Sequence, residues 1–390
     1  MKILRIISSM NPKNGGPSQG IRNINPHIRK LGIEVEVVCM DNCMDNYDVN
    51  DDFVIHKIGQ GRSSYQYHPP LFDWLKENAL NFDVLIVHGL WQYHNLAVYR
   101  TIKFLKKKSR IVPKVVIIPH GMLDPYFQKD SDRKWKALRN EIVWQLIEKK
   151  CINLADAILF TCQEELRLAA TTFKGYHPKK TINIGYGIQT PPQNSQEFKT
   201  AFEQKCITIQ GNKYWLFLSR IHEKKGVDLL INAYCKLAVN KSTIPDLVIA
   251  GPIASNYAQE MIAMASKNSK IHFLGMLQGA EKWGAFYNCE AYLLPSHQEN
   301  FGIAIVEAMA CKKPVVISKN VNIWKEVQAG NGGWILNELN EAEIYNVLLA
   351  ISYLSETQII QKGVAAYETF QTNFNVQDRA TVLVKVLNQL

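Results

Sequence analysis

Short apolar runs recur along the chain, and helix-length segments separate them. Ile3 to Ser8, Gly32 to Cys39, Phe53 to His56, Val84 to His88, Val115 to Ile118 and Ala155 to Thr161 read as strands. A second series follows: Tyr214 to Leu218, Asp246 to Ala250, Ile271 to Leu274, Ala291 to Leu294 and Pro314 to Ser318. Helical segments lie between them, at about 71–81, 96–108 and 227–239, with others at 341–354 and 375–390. Strands that alternate with helices are joined by crossovers, so the expected class is α/β with parallel sheets. In such sheets ligands bind beyond the carboxyl ends of the strands.

A chain of 390 residues favours two domains, each with its own core. Pro191-Pro192-Gln193-Asn194-Ser195 is linker material, which puts the junction near 188. The expected domains are 1–187 and 188–374, with the segment 375–390 crossing back to the first. Neither an internal repeat nor a low-complexity segment is visible. No apolar run approaches the roughly 20 residues of a membrane span, and the first residues read as a strand rather than a signal peptide. Eight scattered cysteines form no Cys-x-x-Cys pair, which fits reduced thiols in a cytoplasmic protein without zinc.

Charge is uneven. Residues 1–187 hold 27 Lys+Arg against 18 Asp+Glu, while the rest of the chain is nearly balanced at 18 against 17. A basic first half suits an anionic partner. The segment 133–150 is helical, basic and rich in tryptophan. Its Leu138, Ile142 and Leu146 stripe is expected to pack into the core and leave a basic face exposed; contact with an anionic membrane is the alternative.

The stretch Leu293 to Ala310 carries the densest chemistry. An apolar run stops at Pro295, a polar loop follows, and Gly302 permits an unusual turn where a helix begins. The first amides of that helix, around Phe301 to Ile303, lack intrahelical acceptors and form an anion site. Glu299 in the loop and Glu307 within the helix bracket it. Arg220 and Lys225 flank the loop after the strand Tyr214 to Leu218, and both suit phosphate oxygens. In the first half, Gly15-Gly16 lies in a loop between a strand and a helix, and His88 and His120 stand at strand ends. Asp130-Ser131-Asp132 sits in a polar loop and reads as solvated.

Taken together, Ser219-Arg220 through Lys225-Gly226, Ile249 to Pro252, Phe273 to Gly275, and Pro295 through Glu299-Asn300-Phe301-Gly302 to Glu307 resemble a known pattern. The chain is similar to the retaining GT-B nucleotide-sugar transferases of glycosyltransferase family 4, bacterial polysaccharide type. Pro119-His120-Gly121 and Gly15-Gly16 match the N-terminal landmarks of that family. The resemblance covers essentially the whole chain. It implies two Rossmann-like domains facing a cleft, an acceptor-side first domain and a donor-binding second one. It implies that Arg220 and Lys225 hold the donor diphosphate and that Glu307 binds the ribose. Glu299 with Asn300, Phe301, Gly302 and Ile303 would hold the hexose, and His120 would sit near the reacting carbon. Gly251 and Gly275 would lie along the nucleotide, and Gly15 and Gly16 near the phosphates. No metal or other cofactor is implied. The expected donor is a UDP-hexose. The expected acceptor is a hydroxyl of a lipid-linked saccharide or polysaccharide precursor at the inner membrane face. Two other readings remain open at this point: a UDP-sugar epimerase of the same architecture, and a non-enzymatic anion binder. Nucleic acid is not an expected partner, because the charges form short clusters without interleaved aromatics.

Overall fold

The computed structural model of the chain describes every residue except 13, 14, 48, 109, 110, 130–133 and 210. Asp130-Ser131-Asp132, and Arg133 at the start of the expected basic helix, therefore lie outside the described residues. The chain divides into two compact units. One is Met1–Ile188 with Val376–Leu390, and the other is Gln189–Asn375.

The first unit holds β1 (Lys2–Ile7), β2 (Glu34–Cys39), β3 (Val54–Lys57), β4 (Val84–His88), β5 (Lys114–Ile118), β6 (Ala157–Phe160) and β7 (Thr181–Asn183). They form one sheet in the order β3-β2-β1-β4-β5-β6-β7, every neighbouring pair parallel. The second unit holds β8 (Tyr214–Leu218), β9 (Asp246–Ala250), β10 (Ile271–Gly275), β11 (Ala291–Leu294), β12 (Val315–Ser318) and β13 (Gly333–Leu336). Their order is β10-β9-β8-β11-β12-β13, again all parallel. Most of these strands are unbroken apolar runs because helices cover both faces of each sheet. The chain turns back on itself between β1 and β4, and again between β8 and β11. These are the topological switch points, where loops at strand ends splay apart and leave room for a ligand.

The two faces of the first sheet bury separate clusters. Leu4, Ile6, Leu85, Val87, Ile117, Trp144, Ile158 and Phe160 belong to one. Ile3, Ile28, Val35, Val84, Ile86 and Val116 belong to the other, and there Ala380, Leu383 and Leu387 of the helix Val376–Asn388 complete the packing. The last helix is thus part of the first core.

One expectation fails in the first unit. The stripe Leu138, Ile142 and Leu146 does not enter the core; all three side chains are exposed. The face that packs is Asn140, Trp144 and Glu148. Trp144 decides it. Its ring stacks on Phe173 with centroids 4.7 Å apart, and its indole N–H donates to the Lys174 carbonyl at 2.9 Å. The Trp144 indole fills the core and has its N–H satisfied there, while Trp135 and the aliphatic stripe stay in solvent. The segment is not one regular helix either: Lys134–Val143 and Lys149–Leu154 are α-helical, with a π turn at Trp144–Glu148 between them.

Candidate functional site

In the second unit the loops after β8 and β11 flank the switch point, and they are stitched together. The Lys224 carbonyl accepts from His297 N at 2.8 Å and from Ser296 Oγ at 2.9 Å. Gly226 has φ 64° and stands so close to the Pro295 carbonyl that a Cβ there would overlap it. Lys225, one residue earlier, is almost wholly buried. A buried ammonium needs a partner, and Lys225 Nζ pairs with the Glu299 carboxylate. Glu299 is itself fixed by its backbone: its N–H donates to Asn320 O at 3.1 Å, and its carbonyl accepts from Asn322 N at 2.9 Å.

The helix Ile303–Ala310 starts directly after this loop, with Gly302 as a left-handed N-cap at φ 76°. Its N-terminal amides point out of the helix and favour negative charge. Asn300 Oδ1 accepts from Asn322 Nδ2 at 3.2 Å, and the Phe301 ring meets Phe374 edge-on with centroids 5.5 Å apart. Glu307 pairs with Lys282 Nζ at 2.9 Å. Arg220 is exposed on the loop after β8. Gly251 follows β9 and Gly275 ends β10, and Gly251 N donates to Gly275 O at 2.9 Å. The unit therefore presents a lysine–glutamate pair, helix-start amides and a second carboxylate at the carboxyl ends of its strands. Cations and amides suit phosphate oxygens, and carboxylates suit sugar hydroxyls.

In the first unit Gly15 and Gly16 lead into the helix Gly16–Lys30, and the Tyr186 hydroxyl donates to Gly16 O at 3.0 Å. His120 follows β5 and has φ 53°, an uncommon conformation for a side chain with a Cβ. Gly121, at φ 79°, continues the turn. A buried carboxylate holds it: Gly121 N donates to Glu165 Oε1 at 2.5 Å, while Thr161 N and Oγ1 donate to Oε2 at 2.8 and 2.6 Å. The loop after β4 repeats the device. Trp91 has φ 67°, and its N–H donates to Glu148 Oε1 at 2.7 Å. Burial raises the Glu148 carboxyl to about 8.

Behind His120 lies a chain of polar contacts. Arg5 Nη1 is 3.0 Å from His88 Nε2, and His88 Nδ1 is 2.9 Å from His120 Nε2. Burial, reinforced by Arg5, lowers His88 well below the usual histidine range and His120 to about 4. Arg5, His88 and His120 line a narrow cavity of about 40 Å³ with Gly20, Thr161 and Tyr186. A more polar cavity of about 450 Å³ touches His88, Ser8, Asn11, Ser18, Asp41 and Gln92.

Two family profiles match the chain, one on each unit. The family Glycosyltransferase Family 4 matches residues 14–190, and Glycosyl transferases group 1 matches residues 199–356. The chain belongs to the GT-B glycosyltransferases of family 4. An uncharacterized glycosyltransferase of Methanocaldococcus jannaschii is 29% identical over 143 residues, 36% of each protein. Several relatives are matched over less than half of their own length. The lipopolysaccharide 1,2-N-acetylglucosaminetransferase of Salmonella typhimurium is 23% identical over 388 residues, 93% of each chain. Among solved structures, Anabaena HepE in complex with UDP and glucose covers 100% of both chains at TM-score 0.75 and 18% identity, a likeness of fold.

Within this family member, several neighbours of the sequence candidates were not legible beforehand. Lys282 pairs with Glu307 from a different helix, and Arg5 reaches His88 across two strands. Glu148 and Glu165 lie far along the chain from the turns they hold. None of these has a local motif; only strand order brings them together. A faint signal existed for Arg5, a charge inside the apolar run Ile3 to Ile7.

Proposed function

We propose that this chain moves a hexose, with retention at the anomeric carbon, from a UDP-hexose to a hydroxyl of a lipid-linked saccharide or polysaccharide precursor, in envelope or exopolysaccharide biosynthesis at the inner membrane face. The observation that carries the reading is the buried Lys225 paired with the half-buried Glu299 against the start of the helix Ile303–Ala310. A diphosphate that departs with extra negative charge is stabilised by Lys225, by Arg220 and by the helix amides. Lys225 and the helix amides are held in place before the reaction, so they favour the transition state over the ground state. Glu299 and the amides of Asn300, Phe301, Gly302 and Ile303 hold the hexose, and Glu307 holds the ribose. Gly251 and Gly275 flank the nucleotide, Gly15 and Gly16 approach phosphate, and His120 donates to the transferred sugar.

The bond from the anomeric carbon to phosphate oxygen breaks with its electron pair going to UDP. The acceptor hydroxyl attacks from the same side, and its proton passes to the departing phosphate oxygen. The positive charge comes from protein groups, so the reading needs no metal. The likeness to the Salmonella lipopolysaccharide 1,2-N-acetylglucosaminetransferase and the UDP and glucose bound to Anabaena HepE support the setting and the donor class.

The test is UDP release from a panel of UDP-sugars without acceptor, which should show slow donor hydrolysis. Arg220→Ala and Lys225→Ala should each lower that rate by about a hundredfold or more, the scale seen when one preorganised charge donor is removed. Full activity in both variants removes the assignment. An isomerised UDP-sugar without UDP release would favour the epimerase reading instead.

A further inference from the structure

The helix Lys134–Val143 and the π turn after it carry four large apolar side chains in water. Trp135 is 85% exposed, Leu138 53%, Ile142 52% and Leu146 62%. Their spacing of three, four and four residues puts them on one stripe. The opposite face is already packed, through Asn140, Trp144 and Glu148. The stripe is therefore an outward face and not a failed core face, and a contiguous exposed apolar patch marks an interaction surface.

The charges around the stripe say what kind of surface it meets. Lys134, Lys136, Arg139 and Lys150 are all exposed along the same segment. Residues 134–150 hold 5 Lys+Arg against Glu141 and the buried Glu148, so the exposed part of the segment is basic. An apolar row bordered by cations fits an interface with negative headgroups above and acyl chains below. The indole seats at the headgroup level, and lysine and arginine stems lie along the apolar zone while their charges reach phosphate. A second copy of the chain fits poorly, because a two-fold contact through this face sets its cations against their own copies.

We infer that this face of the first unit seats on an anionic lipid bilayer, with the helix lying in the surface plane. The contact is peripheral: no helix among the described residues is long and apolar enough to cross a membrane. The surface stands independently of the donor-site residues.

The experiment is vesicle flotation of the full chain, with phosphatidylcholine alone and with phosphatidylcholine mixed with phosphatidylglycerol. The protein should float with the mixed vesicles only, and less as salt shortens the reach of charge from about 10 Å at 0.1 M to about 3 Å at 1 M. The combined variant Trp135→Ser, Leu138→Ser, Ile142→Ser and Leu146→Ser should bind at least about a hundredfold more weakly, since it removes the whole buried apolar row. Lys136→Gln and Arg139→Gln should each weaken binding to the mixed vesicles by roughly fivefold. Thermal midpoint and UDP-sugar hydrolysis should stay unchanged in all of them. Failure of the wild type to float, or equal flotation of the fourfold serine variant, overturns the inference. So does a dimer, seen by sedimentation equilibrium, that the serine variant dissolves; that outcome assigns the face to a second copy. Absence of hydrolysis in every protein bears on the transferase reading alone, because flotation is read separately.

Discussion

Arg5 can only donate, and that one fact orders the protons of two histidines. The guanidinium is fully buried; burial lowers it to about 10, so it remains a cation at neutral pH. Its Nη1 lies against His88 Nε2, which must therefore be the accepting nitrogen. A neutral ring that accepts at Nε2 carries its proton on Nδ1. His88 Nδ1 faces His120 Nε2, so His120 accepts there and keeps its own proton on Nδ1. His120 is left with a fixed N–H as its outward donor. Nitrogen-15 spectra of histidine-labelled protein should show both rings neutral and protonated on Nδ1 near pH 7. A His120 ring protonated on Nε2 would break the chain of reasoning. His88→Asn keeps a donor near the Nδ1 position, and His88→Leu does not. Donor hydrolysis should therefore fall by up to about tenfold in the leucine variant, the worth of one neutral hydrogen bond, and by clearly less in the asparagine variant. A general structural role for His88 would lower both alike and leave the His120 tautomer where it is.

At the scale of the element, the start of the helix Ile303–Ala310 depends on Gly302. Its φ of 76° is a conformation that L side chains rarely adopt. An added Cβ would also meet Ile305 Cδ1 at 2.5 Å and Glu299 Cγ at 3.2 Å. Gly302→Ala should cost about 1–2 kcal/mol in backbone strain alone. It should also shift Glu299, so donor hydrolysis should fall more than the loss of stability explains. An alanine variant with wild-type activity and thermal midpoint would show that the helix start is not strained as described. This glycine was legible in the sequence, because a Gly between a polar loop and an apolar helical run has few other reasons to be there. The strand-helix alternation was equally plain, since each strand is a continuous apolar run. What the sequence hid were elements without contrast. Glu356–Phe374 is a 19-residue helix whose buried face runs from Ile359 through Gly363, Ala366 and Thr369 to Phe370 and Phe374, so its large apolar residues cluster at one end and show no regular period. Its Ser355–Gln358 capping box was its one readable sign. The stripe Leu138, Ile142 and Leu146 misled for the opposite reason: periodicity finds an apolar face but cannot say whether protein or another phase covers it.

Across the whole molecule, the buried groups whose shifts fall between about pH 4 and 8 belong to the first unit, and they pull stability in opposite directions with pH. His88 is held well below the usual histidine value near 6.5, and burial lowers His94 and His120 to about 4. Between about 6.5 and 4 the unfolded chain binds these protons and the folded chain does not, so stability is lost as pH falls. Glu148 is the reverse case. Burial raises it to about 8 from an ordinary value of 4.5, so the folded state keeps a proton that the unfolded state releases. Its contribution is complete below about 4.5 and is lost as pH rises toward about 8. Each group that differs by one proton gives a slope of about 1.4 kcal/mol per pH unit. From about 4.5 to 6.5 three histidines oppose one glutamate, and stability rises with pH. Above about 6.5 the glutamate acts alone, and stability falls. The neighbouring Cys151 thiol, raised well above its ordinary value, adds nothing to this range. The first unit should therefore be most stable near pH 6.5. Because the two units have separate cores, calorimetry should be read for two transitions, not one. The first unit's transition is the one that Glu148→Gln moves. In that variant the decline between about pH 6.5 and 8 should flatten, because a glutamine still accepts from Trp91 N and has no proton to lose. Parallel declines in wild type and variant over that interval would show that Glu148 is already ionised in the folded protein.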